Sequence, residues 1–307
     1  MGGASFDPGH WASYSKAKVA GKPTAAVFTS RGLKESLDPK KMKNMLRESC
    51  DDDVCPESMP IIIGLDETGS MGMIPDYMIR TGFPKLFEEI YARKPIKHPH
   101  IMFMGIGDAE VDQVPVQVSQ FESGMRLADQ LIDMYLEGNG GGNNHEGYTM
   151  PWYVASMHTK IDCFDKRGKK GYLITVGDEE PNPILYRKDI LRSLGVAPET
   201  DLTAKQLLDM ASKMYHVFHV IVEQGSYAHS HPAQVKKAWT ELLGERVLPL
   251  SDYTNLSEVI VSAIQRNEGA SYDAVVKSWT GATSLVVARA IGSMITTPTG
   301  NGGVVRF

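Results

Sequence analysis

The chain is 307 residues long, 42% hydrophobic and 22% charged, with a formal net charge of -5 and a pI near 6.0. That length buries a sizeable core in one or two domains, and the balance is that of a globular protein. A mildly acidic chain without a basic patch has no footprint for nucleic acid or an anionic membrane, and its apolar runs of about six residues fall far short of the ~20 that span a bilayer.

The opening MGGASFDPGHWASYSK lacks the apolar stretch of a secretory signal, and Phe6 stands where N-myristoylation wants Ser or Thr, so a cytoplasmic chain is expected. Residues 1–57 read as an N-terminal arm. In its LDPKKMKNMLRES piece, Asp38 before Pro39 has the form of a helix N-cap followed by an N1 proline, which predicts one short helix. Cys50, Cys55 and Cys163 are too few for a disulfide framework or a tetrahedral zinc site, and free thiols are expected.

From 58 to 267 short apolar runs alternate with longer amphipathic ones. IIIGL (61–65), IMFMGIG (101–107), GYLITVG (171–177), HVFHVIVE (216–223) and RVLPLSD (246–252) predict strands. Helices are expected near 78–92, 124–135, 150–159, 203–214, 233–243 and 256–266. Thr203 with Gln206, and Asn255 with Glu258, have capping-box spacing. Strands that alternate with helices need crossover connections, hence a mostly parallel sheet covered on both faces. VPVQVSQF (114–121) has no helix before it and contains Pro115, which cannot donate to a ladder. It predicts an antiparallel edge strand beside 101–107. The expected fold class is α/β, a Rossmann-like doubly wound sheet with one antiparallel edge strand. Residues 268–307 add a C-terminal helix and a glycine-rich tail; the stripe Val275, Val276, Trp279, Leu285, Val286 and Ile291 either docks on the body or serves self-assembly.

Two of the predicted strands end in an acid: Asp66, in PIIIGLDETGSMG, and Asp178, in GYLITVGDEEPNP. Ligands of open parallel sheets collect at such strand ends. Asp66, Thr68 and Ser70 alternate, so an extended segment points all three one way, and Gly69 and Gly72 let the backbone wrap closely. One carboxylate and two hydroxyls suit a hard cation such as Mg2+, with Mn2+ or Ca2+ as alternatives. On the residues alone, a polar turn capping the strand explains the same letters.

Other chemistries fit less well. DETGS resembles the Asp-Thr-Gly of aspartic proteases, but Glu67 intervenes and no second copy supplies the dyad. A Mg2+-dependent phosphoryl-transfer or hydrolytic enzyme with Asp66 as nucleophile needs a phosphate clamp, for which Lys85 and Lys169 are the available lysines. The histidine pairs His98/His100 and His229/His231, and His216 with His219, lack the further ligands of a transition-metal site.

IIIGLDETGSMG resembles the first motif of von Willebrand factor A domains, the Asp-x-Ser/Thr-x-Ser of a metal-ion-dependent adhesion site, and GYLITVGDEEPNP is similar to the family's later strand ending in Asp. The middle segment, EGNGGGNNHEGYTMPW, lacks the usual Gly-Gly-Thr and resembles the Gly-Gly-Gly-Asp-x-x-Glu variant, with Asn143 in place of the Asp. The likeness covers about two-thirds of the chain, roughly 58–266. It implies a metal set of Asp66, Thr68, Ser70, Glu146 and Asp178, with Asn143, His145 and Glu179 as accessory candidates. In the family hydroxyls touch the metal, some Asp residues act through water, and one position stays open for an acidic group of a protein partner. The implied role is a non-catalytic intracellular adaptor, working with an ATPase of the MoxR (AAA+) type or its client. A scaffold subunit of a larger assembly, viral or cellular, is the alternative.

Overall fold

Each apolar run becomes a strand of one sheet, because a backbone buried on both faces is satisfied only by pairing along both edges. The structure, a computed structural model, describes residues 6–69, 71, 73–137 and 145–294. In chain order its main elements are α1 (Pro8–Lys18), β1 (Met59–Asp66), α2 (Phe83–Arg93), β2 (Pro99–Ile106), β3 (Val116–Val118), α3 (Arg126–Ile132) and α4 (Thr149–Met157). After these come β4 (Gly171–Gly177), α5 (Arg187–Leu194), α6 (Ala204–Ala211), β5 (Tyr215–Val222), α7 (Pro232–Leu243), β6 (Val247–Leu250), α8 (Leu256–Asn267), α9 (Tyr272–Lys277) and α10 (Gly281–Ala290). The sheet runs β6-β5-β4-β1-β2-β3, parallel except where β3 pairs antiparallel with β2 at the edge. This is the α/β, mostly parallel architecture that the alternation of strands and helices predicts.

The strand period of two sorts the side chains into two layers. Ile61, Ile63 and Leu65 face α2, α3 and α8, whereas Ile62 faces Trp152 of α4 and Trp239 of α7. From β1 the chain steps outward to β2 on one side and returns to the other side of β1 at β4. The loops after β1 and β4 therefore part company at a topological switch point, where open α/β sheets offer a crevice. Leu65 pairs with Val176, so Asp66 and Asp178 leave the sheet at the same rim.

Several local expectations need correction. Asp38 caps a helix as its spacing predicts, but only a single 3-10 turn, Pro39–Lys41, because Asn44 and Met45 take positive φ (52° and 56°) and break the chain direction. The arm's longest helix is α1, opened by Asp7 and Pro8, with the Asp7 carboxylate accepting from the His10 amide at 2.7 Å; a second, four-residue helix follows at Thr24–Val27. The Thr203/Gln206 capping box forms in full. The Asn255/Glu258 box does not: Asn255 donates to the Glu258 side chain, and that carboxylate turns to Lys85 instead. The C-terminal stripe is two helices, not one, since Gly281 takes φ +59° and starts α10 afresh. Val275, Trp279, Val287 and Ile291 bury against the body, while Leu285 is 73% exposed. The DKRGKKG stretch (165–171) holds the end of a short helix, Asp162–Arg167, stopped by Gly168 at φ +62°.

The edge strand is covered by the arm: Val118 donates its N–H to Leu37 O at 2.9 Å, and Arg47 donates to Val118 O at 3.0 Å. A covered edge does not template pairing with another chain. All three cysteines are free. Among the described residues no helix is long and apolar enough to cross a membrane.

Candidate metal centre

Asp66 is the last residue of β1 and is fully buried. The segment after it does not stay extended, as the alternation of Asp66, Thr68 and Ser70 requires; Met71 N bonds Thr68 O at 2.9 Å and closes a turn. Thr68 still comes to Asp66, because its N–H and hydroxyl both donate to Asp66 Oδ1, at 2.9 and 2.6 Å. The other oxygen, Oδ2, accepts from the Tyr148 hydroxyl at 2.7 Å. Three donors hold this carboxylate in one orientation. Ser70 and Asn143 lie outside the described residues.

Glu146 arrives from a separate loop. His145–Glu146 pairs in parallel with Glu180–Pro181, which ties the third loop to the segment after β4. Asp178, fully buried, accepts from the Tyr227 N–H at 2.9 Å. Glu179 comes next, its N–H donating to the Tyr148 hydroxyl at 3.3 Å and its carbonyl accepting from Trp239 Nε1 at 2.8 Å. Tyr148 thus joins the Asp66 loop to the Asp178 loop, and no feature of its neighbours in sequence marks it for that part. Gly177 admits it: a Cβ there would overlap the Tyr148 ring and hydroxyl. Gly225 likewise leaves room for the Asp178 side chain, which a Cβ would strike. Gly225→Ala is therefore expected to lower stability by about 1–2 kcal/mol through overpacking, read by chemical denaturation; an unchanged midpoint would show that the 225 loop moves aside freely.

The electrostatics are one-sided. Burial, with Asp178 beside it, pushes the Asp66 carboxyl up to about 6 even against the pull of its hydrogen bonds. Burial, then Asp66 and Glu179, pushes Glu146 up to about 10. Glu179 goes up to about 7 through burial and the charges of Asp178 and Asp66. No lysine or arginine is hydrogen-bonded or ion-paired to Asp66, Glu146 or Glu179 among the described residues, and Glu146 Oε2 and Glu179 Oε2 are buried with no partner at all. A buried carboxylate oxygen without a donor is costly, and a cation removes that cost. The donor set fits a hard cation held by hydroxyl, carboxylate and water oxygens. Among the described residues no three His, Cys, Asp or Glu side chains are grouped as ligands of one ion.

Of the other sequence candidates, His145 lies beside Glu146, with Nδ1 buried and unpartnered. Lys85 is engaged with Glu258, and Lys169 precedes β4, at the opposite rim from Asp66. His219 is buried, stacked on Trp239 with ring centroids 3.5 Å apart, and bonded through Nδ1 to Thr175 at 2.8 Å. His100 meets Ser49 at 3.1 Å. These histidines are core and packing groups.

No protein-family profile matches the chain, and no curated protein matches it in sequence. Among solved structures, the pilus adhesin SpaC from Lactobacillus rhamnosus GG, open conformation, aligns with a TM-score of 0.47 and 9% identity over 70% of this chain. Proximal thread matrix protein 1 from the mussel byssus aligns with a TM-score of 0.44 and 14% identity over 69%. The chain spans 31% and 48% of the lengths of those two proteins. Likeness at this level bears on neither family nor function.

Proposed function

We propose that this chain is a protein-binding module of the von Willebrand factor A type. Asp66, Thr68, Ser70, Glu146 and Asp178 hold a divalent cation, Mg2+ before Mn2+ or Ca2+, and the cation takes an acidic group of a protein partner. The observation that carries this reading is that Glu146 Oε2 and Glu179 Oε2 are buried and unpartnered where Tyr148 joins the Asp66 loop to the segment after β4. In it, Thr68 and Glu146 approach the ion, while Asp66 and Asp178, each already held by donors, orient its water. Bound there, the cation supplies a positive position open to an incoming carboxylate. The setting that the resemblance implies is cytoplasmic, as an adaptor for a MoxR-type ATPase or its client.

Titrating Mg2+ into the purified chain, with Asp66→Ala alongside, tests the reading. Saturable binding is expected in the wild type and a loss of at least about tenfold in the variant, the range for a residue that acts on a metal through water. Equal binding by both proteins would remove the metal centre.

A further inference from the structure

The outer edge of β6 pairs with no strand among the described residues, whereas the opposite edge, β3, is covered by the N-terminal arm. Leu250 O accepts from Glu223 N at 3.0 Å, so by the alternation of a parallel ladder Val247 and Pro249 turn their backbone groups outward. Along that edge runs a groove of about 470 Å³, room for several side chains rather than a water or two. Its floor is Ile221, Val247 and Pro249. One wall is α7 at Ala233 and Lys236, and the other is the end of α10, at Arg289 with Ser293 beyond it.

The groove holds no buried charge in want of a counter-ion. Arg289 pairs with Glu223 at 2.6 Å, and Lys236 stands exposed to water. Leu285, 73% exposed, lies one turn before Arg289 on the same face of α10 and extends the apolar surface past the rim. A sheet edge left open beside uncovered apolar surface calls for a cover, and an apolar, largely uncharged segment fits it. The described residues reach Met294, one position past Ser293 in the groove's own wall, and the sequence continues through 295–307 as ITTPTGNGGVVRF. Pro298, Gly300, Gly302 and Gly303 suit a reversal of direction, and Val304, Val305 and Phe307 are strand-forming residues. The ten or so residues from Met294 to Val304 reach up to roughly 30 Å, and a loop of that length closes at small cost.

We propose that segment 304–307 of this same chain lies in the groove and covers the free edge of the sheet. Val305 and Phe307 alternate onto one face of an extended segment and pack against Ile221, Val247 and Pro249. Pro249 has no N–H to give, so a full ladder cannot form and side-chain contact carries most of the attachment. The arm then covers one edge of the sheet and the C-terminal segment the other. None of this rests on the metal-centred reading.

Amide hydrogen exchange in the full chain tests this, with the free peptide ITTPTGNGGVVRF as reference. The amides of Val305, Arg306 and Phe307 are expected to exchange at least about tenfold more slowly in the chain than in the peptide, whatever the chain concentration. Val305→Asp combined with Phe307→Asp is expected to return them to the rate of the matching peptide and to shift the amide resonances of Ala233, Lys236 and Val247. Ala233→Trp, on the exposed side of α7, fills the groove and should release the segment likewise. If that variant does not fold, the resonance shifts of the tail variant locate the contact. Exchange at the peptide's rate in the wild type, protection that survives either variant in folded form, or shifts that spare Ala233, Lys236 and Val247 would overturn the proposal. So would protection lost on dilution, which puts the segment in the groove of a second copy.

Discussion

Glu146→Gln is expected to abolish the response to Mg2+ while leaving the metal-free chain as stable as the wild type near neutral pH. The two halves come from one environment. Glu146 is 1% exposed, and burial together with Asp66 and Glu179 pushes its carboxyl up to about 10, so without metal it carries a proton at neutral pH. Glutamine copies that neutral form in size and in hydrogen-bonding capacity, so little is lost on folding. A cation, by contrast, needs the charged form. Wild-type protein should gain about 2.7 kcal/mol of stability when Mg2+ is present at 100 times its dissociation constant, and the variant should gain none. Thermal unfolding with and without Mg2+ reads both effects. Were Glu146 only a structural acid, the substitution would shift both curves equally, and a variant still stabilised by Mg2+ would exclude it as a ligand.

The strands were legible because burial on both faces leaves a mark that polar positions cannot imitate: IIIGL and GYLITVG have nowhere to place a charge. Strand order was not, since nothing in the letters of 61–65 says that 171–177 lies on one side and 101–107 on the other. Local signals proved reliable where the side chain had a single use. Thr203 caps its helix as spacing predicts, but Asn255 and Glu258 have the same spacing and go elsewhere, because Lys85, far away in sequence, competes for the acid. Asp-Pro occurs at 7–8 and again at 38–39, and opens an eleven-residue helix only in the first case. The residues beyond the cap decide the length, and after Asp38 it is Asn44 and Met45 that turn the chain.

The candidate site was legible in its acids and not in its framework. Asp66 and Asp178 stand out as charges that end apolar runs, whereas Glu146 was picked out by resemblance, in a glycine-rich loop with no periodic signal of its own. Tyr148, which touches Asp66 and the Glu179 amide together, looks in sequence like any core aromatic at the start of a helix. Asp108, in the loop after β2, and Asp189, in the first turn of α5, stand 81 residues apart, so only the folded topology brings them to one cleft.

The metal-free chain should also lose stability from about pH 7 to about pH 9, with roughly 2–3 kcal/mol of the loss coming from Glu146, and Mg2+ should cancel that share. The sign is set by the direction of the shift. An acid whose folded pKa lies above its unfolded value contributes stability that is complete below the unfolded value and disappears as pH rises through the folded one. For Glu146 that span runs from 4.5 up to about 10, and for Glu179 from 4.5 up to about 7. The window is chosen to avoid opposing groups. His100, His158 and His219 are buried and His216 is half-buried, and desolvation lowers the pKa of each. Below their ordinary value near 6.5 the unfolded chain binds protons that the folded chain refuses, so these histidines make stability rise with pH there. Asp51, whose carboxyl Arg167 and Ser58 hold well below the usual range, matters only in strong acid. Above pH 7 both effects are spent, and Glu146 acts together with Glu67, which burial also pushes well above the usual carboxylate range. Denaturation midpoints of wild type and Glu146→Gln across this range isolate the share of Glu146: both curves should slope downward, the wild type's more steeply. Parallel slopes would place the proton elsewhere, with Glu67 as the next group to replace.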